Sequence, residues 1–367
     1  MIYLDHSATS FLKPPEVPRA MLRAMKESTG VGRGGHSLAM RAAEVVHQCR
    51  MEGAALFDAE AEQVVFTMNA THGLNIAIRS LCKPGMHVAI SGFEHNGVLR
   101  PLHALGATIT VCGRELFRQD LAVEEFKQAL DSGAELVVCT CCSNVFGYIL
   151  PIDRIAELCR RRNVPLIIDG SQGAGILPLS LKKLGAAFIA FPGHKALYGP
   201  QGTGILLCGC PGEPLLYGGT GSRSMERDMP EDLPDRLEAG THNVCGIAGL
   251  LEGIRYVRRL GTDRILNRER KLMGMAAKGL GEIRGVRLYR GKEQSGVLSF
   301  TVKGRDPEDI AQELAKNGVA VRAGLHCAPL AHESGGTAPS GTIRISTSER
   351  NREQEMTQFI RICKKIF

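Results

Sequence analysis

From residue 63 onward, short apolar runs bounded by turn residues recur along the chain. Gln63 to Met68, Met86 to Ser91, Ala107 to Cys112 and Glu135 to Cys141 read as strands, as do Val164 to Asp169, Ala186 to Phe191 and Thr203 to Cys208. Between most of them the apolar positions take helical spacing, over Thr71 to Leu81, Gly97 to Leu105, Leu121 to Leu130 and Ile152 to Arg162. Strands of continuous apolar character that alternate with helices indicate an α/β sheet covered on both faces. A long helical pattern from Val244 to about Leu260 follows the last of these strands, and then the rhythm changes. Val297 to Val302 and Gly318 to Arg322 read as strands, Pro307 to Asn317 as a helix, and Gly341 to Ser346 as a strand before a terminal helix. This predicts a large domain over 14–250 and a smaller α/β domain made of 251–367 together with the extended segment 1–13 around Tyr3.

Composition narrows the class. At roughly 150 residues per domain, 367 residues suit two domains, and 44% hydrophobic with 23% charged residues is ordinary globular usage. Trp is absent and aromatics are 5%, which argues against a nucleic-acid reader built on stacking. Much of the net charge of +7 lies between Ile254 and Lys292. There basic residues interleave with apolar ones at helical spacing (Ile247, Leu250, Leu251, Ile254, Val257, Leu260), the pattern of a solvated helix face. The opening MIYLDHSATS has neither the basic nor the apolar region of a signal peptide, and no apolar run approaches the ~20 residues of a membrane span. The expected setting is a reducing cytoplasm, with most of the 12 cysteines acting as small hydrophobes. Cys139, Cys141 and Cys142 fall on a strand that sends alternate side chains to opposite faces and read as buried strand residues, so no metal is expected.

In a doubly covered sheet, ligands gather beyond the carboxyl ends of the strands. Five predicted strands deliver polar residues there: Thr71, Glu94 and His95, Asn144, Asp169 with Ser171 and Gln172, and His194 with Lys195. The segment Phe191-Pro-Gly-His-Lys-Ala-Leu-Tyr-Gly-Pro-Gln-Gly-Thr-Gly204 puts a lysine in a glycine-rich turn straight after an apolar strand. It lacks the Gly-Lys-Ser/Thr of a phosphate-binding P-loop; Lys195 is placed like a Schiff-base lysine, or is an ordinary turn lysine. Asp169, ending Val164-Pro-Leu-Ile-Ile-Asp, is costly to bury unpaired. A protonated pyridinium nitrogen would offset that cost; otherwise the carboxylate caps the next turn.

Asp-Gly-Ser-Gln172 and Gly-His-Lys195 resemble motifs of the class V aminotransferase group of fold-type I pyridoxal-phosphate enzymes, and within it the cysteine desulfurases and selenocysteine lyases. Tyr3-Leu-Asp-His-Ser-Ala-Thr9, Phe66-Thr-Met-Asn-Ala-Thr-His72, Glu94-His-Asn96, Ser143-Asn-Val-Phe-Gly147, Glu238-Ala-Gly-Thr241 and Arg322-Ala-Gly-Leu-His-Cys-Ala328 continue the likeness in the family's order. The resemblance implies a seven-stranded, mostly parallel sheet in the large domain, beside the smaller C-terminal α/β domain. It implies pyridoxal phosphate as cofactor: Lys195 as the Schiff-base lysine and shuttle of the Cα proton, Asp169 on the pyridine nitrogen, Gln172 on the phenolic oxygen, and His95 stacked on the ring. Thr71, the backbone amide of His72 and the side chain of His194 would hold the phosphate, which also suits the start of a helix. Thr241 would reach the cofactor of a second subunit, so a homodimer is implied. Asn144, Arg322 and Arg344 would lie near the substrate carboxylate.

Cys327 matches the sulfur acceptor. Its thiolate would attack the sulfur of bound cysteine, leaving a persulfide and alanine, with Arg322 and His326 lowering its pKa and the loop from Glu333 to Gly341 exposed and mobile. Two positions depart from the pattern: Pro192 where the family carries Ser or Thr on the phosphate, and Leu325 where relatives often carry His. The expected activity is cysteine desulfuration; selenocysteine lysis, or a class V aminotransferase or other lyase reaction, is the alternative. A sulfur-acceptor protein is an expected partner; nucleic acid and membrane are not.

Overall fold

The computed structural model describes residues 1–31 and 34–367. In chain order the strands are β1 (Ile2–Tyr3), β2 (Val64–Thr67), β3 (His87–Ser91), β4 (Thr108–Cys112), β5 (Leu136–Thr140), β6 (Leu166–Asp169), β7 (Phe188–Pro192), β8 (Gly204–Cys208), β9 (Val286–Tyr289), β10 (Val297–Val302), β11 (Val319–Ala320), β12 (Arg322–Gly324) and β13 (Thr342–Ser346). The helices are α1 (Glu16–Glu27), α2 (Ser37–Phe57), α3 (Ala70–Leu81), α4 (Asn96–Ala104), α5 (Gln119–Asp131), α6 (Ile152–Arg161), α7 (Leu181–Leu184), α8 (Val244–Leu260), α9 (Thr262–Gly281), α10 (Pro307–Lys316), α11 (Pro329–Gly335) and α12 (Glu353–Ile366).

Seven strands form one sheet in the order β2-β8-β7-β6-β5-β3-β4. The neighbours from β7 through β4 are parallel, and β8 runs antiparallel to both β7 and β2. Each strand of this sheet lies within two residues of its predicted bounds. Their unbroken apolar character follows from burial on both faces: Leu136 and Val138 of β5 face the apolar cluster under α3 and α4, while Val137 and Cys139 face the opposite one. Strand order reverses between β3 and β5, so the loops after these strands open a crevice at that point.

A four-stranded antiparallel sheet, β12-β13-β10-β9, carries a separate core with α9, α10 and α12. The segment read as one strand over Gly318 to Arg322 divides: β11 pairs in parallel with β1, and β12 pairs with β13. The N-terminal segment therefore joins this half of the molecule through β1. The basic stretch is laced with ion pairs rather than bare: Arg255 and Arg258 meet Glu52 of α2, and Arg268 and Lys271 meet Glu353 of α12. Glu333 to Gly341 is the exposed loop expected only in part: Ala338, Pro339 and Ser340 are exposed, but α11 runs through Gly335, and Thr337 is buried where its hydroxyl meets His332 Nδ1 at 2.6 Å. Among the described residues, no helix is long and apolar enough to cross a membrane.

Candidate active site

A cavity of about 220 Å³ opens beyond the carboxyl ends of β3, β5, β6 and β7. Nine of the predicted site residues line it, among them Lys195, Asp169, Gln172 and His95. Thr71 and His194 lie toward α3; Asn144, Arg322 and Arg344 come from the β5 loop and the small sheet.

Lys195 follows β7 by three residues, in a turn held by Gly199 N–H donating to Gly193 O at 2.8 Å and by Tyr198 N–H donating to Lys195 O at 2.9 Å. Burial lowers its ammonium pKa to about 8; Asp169 opposes that shift, and Arg344 and Arg322 add to it. The amine is thus partly unprotonated near neutrality, as a nucleophile requires. Asp169 ends β6, 3% exposed, and its Oδ1 accepts the backbone N–H of Ser171 at 2.9 Å. The capping role and the pairing role are therefore compatible, because one carboxylate oxygen remains for a second donor. Gln172 donates from Nε2 to Ser7 O at 3.0 Å, which fixes its side chain to the N-terminal segment.

His95 caps α4 by accepting Gly97 N–H at Nδ1, 2.9 Å away. Burial lowers its pKa, so it is a neutral ring carrying its proton on Nε2. Beside it in the chain, fully buried Glu94 accepts the Thr140 N–H at 2.7 Å and a Ser91 hydroxyl; burial raises its pKa to about 8, so it holds a proton at neutral pH. His194 is neutral too, burial having lowered its pKa to about 4, and its Nδ1 lies 3.1 Å from Thr9 Oγ1.

Other expected residues lie elsewhere. The His72 amide donates to Asn69 Oδ1 at 2.9 Å, the N-cap of α3, so the amide expected on the phosphate already has a partner. The His72 ring turns with Thr241 into a second cavity of about 210 Å³. Thr241 is thus absent from its own chain's cleft. Cys327 is exposed and outside the cavity lining, on a turn with left-handed His326 and Cys327 (φ 49 and 57). The turn is pinned where Asn96 N–H donates to Cys327 O and Asn144 Nδ2 to His326 O, both at 2.8 Å. His326 is no source of positive charge for that thiol: burial drives its pKa down to about 2. Leu325, 43% exposed, adds none either.

A family model described as aminotransferase class-V matches residues 2–359. The chain belongs to that family. It is 33% identical to a probable cysteine desulfurase 1 of Mycobacterium leprae, covering all of this chain and 62% of that protein, and 32% identical to a probable cysteine desulfurase of Methanothermobacter thermautotrophicus, covering 95% and 91%. The chain spans about three-fifths of the length of the mycobacterial relatives it matches. Among solved structures it superposes on apo cysteine desulfurase from Thermococcus onnurineus NA1 with a TM-score of 0.90 at 30% identity, over 100% of this chain and 94% of that one. An S-sulfonic acid form of the Escherichia coli cysteine desulfurase CsdA gives 0.88 at 27% identity, over 99% and 94%. The α/β fold with its seven-stranded, mostly parallel sheet is therefore that of the fold-type I class V enzymes.

Against this family background, two residues missed in the sequence shape the site. Asn69 carries a local signal, a capping residue at the start of a helical pattern. Asp5 carries none: its Oδ1 accepts Arg344 Nη2 at 2.6 Å, although the two stand 339 residues apart in the chain. Arg344 is 1% exposed and also donates to Asn144 O at 2.9 Å, so the more exposed Arg322 is the guanidinium with the freer approach to an incoming carboxylate.

Proposed function

We propose that this chain is a pyridoxal-phosphate-dependent cysteine desulfurase that releases alanine and takes the sulfur as a persulfide on Cys327. The observation that carries this reading is the placement of Cys327. It alone of 12 cysteines is exposed, and its carbonyl is hydrogen-bonded to the residue following His95, at the edge of the lysine cleft.

The donor set fits the cofactor. A buried carboxylate with one oxygen committed to Ser171 suits a pyridinium nitrogen, an amine of lowered pKa suits a carbonyl carbon, and the neutral His95 ring suits an aromatic face. Thr71 and His194 would hold the phosphate; the His72 amide does so only if Asn69 releases it. When bound, the cofactor supplies the electron sink that makes the substrate's bonds to carbon labile. Lys195 Nζ takes and returns the Cα proton, Gln172 orients the ring edge, and Arg322 binds the substrate carboxylate while Arg344 stays neutralised by Asp5. Cys327 Sγ attacks the substrate sulfur: an S–S bond forms, the C–S bond breaks, and carbon keeps the electron pair and takes up a proton. The enzyme works in the cytoplasm as a homodimer in which Thr241 reaches the partner's cofactor, and hands its sulfur to an acceptor protein. Exposed Leu22 and Met25 of α1 and Met40 of α2 support a second copy.

The test is sulfide and alanine release from cysteine, with mass spectrometry of the Cys327 peptide. Wild type should gain one sulfur there, and Cys327→Ser should lose cysteine turnover while still binding the cofactor. Lys195→Ala should abolish both turnover and borohydride-fixed attachment. Sulfide release by Cys327→Ser at the wild-type rate would reassign the enzyme to a general lyase or aminotransferase. Turnover of selenocysteine but not cysteine would favour the selenocysteine lyase.

A further inference from the structure

A second set of charged side chains is buried away from the cleft. Arg50 of α2 and Glu238 are 9% and 7% exposed, and His242 completes the cluster. Glu238 Oε1 accepts Arg50 Nη1 at 2.8 Å and Phe66 N–H at 2.5 Å; Oε2 accepts the other Arg50 nitrogen and His242 Nε2–H at 2.5 Å. Burial alone would raise the Glu238 carboxyl; Arg50 and His242 outweigh it and hold its pKa below the ordinary range. The Arg50 guanidinium lies 4.5 Å over the Phe66 ring, and the His242 ring meets that ring edge-on at 6.4 Å.

The location gives the cluster its meaning. β2 is the edge strand of the large sheet, so the outward polar groups of Val64 and Phe66 face no neighbouring strand. Arg50 donates to Val64 O and Glu238 accepts from Phe66 N–H, so these two side chains take the place of a strand. β2 then runs through Met68 into Asn69 and the start of α3, where Thr71 stands. Glu238 and His242 bracket Thr241, and Thr241 shares the 210 Å³ cavity with Phe66, Thr67 and His72.

We propose that Arg50, Glu238 and His242 are positioning residues for the phosphate ends of the dimer's cofactor sites, clamping the 238–242 turn, whose Thr241 serves the second subunit's site, onto the strand that delivers Thr71 to its own. This rests on the reading given under Proposed function. A bidentate carboxylate–guanidinium pair with two further donors is rigid, and its loss would let both phosphate-contacting segments drift.

The experiment compares the binding of pyridoxal phosphate and of pyridoxal, which lacks the phosphate, in wild type, His242→Phe, His242→Gln and Glu238→Gln. His242→Phe keeps the ring against Phe66 and removes the N–H; His242→Gln restores a donor. Pyridoxal phosphate affinity should fall about tenfold in His242→Phe, the worth of one hydrogen bond to a charged group, with pyridoxal affinity unchanged. His242→Gln should recover most of it, and Glu238→Gln should show the same selective loss. Parallel weakening of both compounds, or unchanged binding with a lower urea midpoint, would show that the cluster only holds the fold and would overturn the proposal. A wild type that binds neither compound overturns the functional reading and this proposal together.

Discussion

Lys195 shows what burial does to a single residue. Desolvation lowers its pKa to about 8, and the Asp169 carboxylate limits the drop by favouring the ammonium. Below about 8 the amine is mostly protonated and has no lone pair to offer. The rate of borohydride-fixed cofactor attachment should therefore climb about fivefold from pH 7 to pH 8 and flatten by pH 9, as a group titrating near 8 requires. Asp169→Asn removes the charge that favours protonation, so the midpoint of this profile should move to lower pH. A midpoint that stays in place would show that Asp169 does not act on Lys195. Both residues were legible in the sequence because Asp169 ends an unbroken apolar run and Lys195 stands in the glycine-rich turn just after another. Asp5 with Arg344 and Arg50 with Glu238 were not legible, since partners 339 and 188 residues apart leave no local pattern.

At the scale of elements, the strands were legible and several helices were not. β5 and β7 read clearly because two buried faces leave no exposed position in either. α1 buries only Val17, Ala20 and Ala24 while exposing Leu22 and Met25, so its apolar stripe is blurred. α2 is similarly obscured, with Arg50 among its buried residues and Met40 and Met51 outward. α8 was legible from its apolar stripe, but its glycines, which the stripe says nothing of, set how closely it packs. A Cβ on Gly253 would lie 2.0 Å from the Leu197 carbonyl, in the turn just after Lys195. Gly253→Ala should thus cost about 1–3 kcal/mol of stability by urea denaturation, and should disturb the lysine turn, because backbone cannot yield as a side chain can. Cofactor attachment in this variant should slow as well; unchanged attachment with lowered stability would confine the effect to the α8 contact.

For the whole molecule, the N-terminal ten residues join what the two sheets hold separately. Ile2 and Leu4 sit in the apolar core of the small sheet, and Leu4 O accepts Ser346 N–H at 2.8 Å. Ser7 N–H then donates to Ser346 Oγ at 2.8 Å, while Ser7 O receives Gln172 Nε2 from the opposite side of the cleft. Three residues on, Ser10 donates to His194 O from both its backbone nitrogen (2.9 Å) and its hydroxyl (3.0 Å). The strap thus runs from a buried anchor in one core to Gln172 and His194, which line the cleft of the other. If it acts as one unit, damage at the anchor must be felt at the far end. Leu4→Ala deletes a fully buried side chain that touches no part of the cleft, and should cost about 2–5 kcal/mol. The same variant should also release pyridoxal phosphate faster on dilution, because Gln172 and His194 lose a fixed partner. Ile310→Ala, equally buried in the same core but on α10 rather than on the strap itself, should lower stability without that effect. Equal cofactor retention in the two variants would show that the strap transmits nothing and merely fills the groove between the sheets.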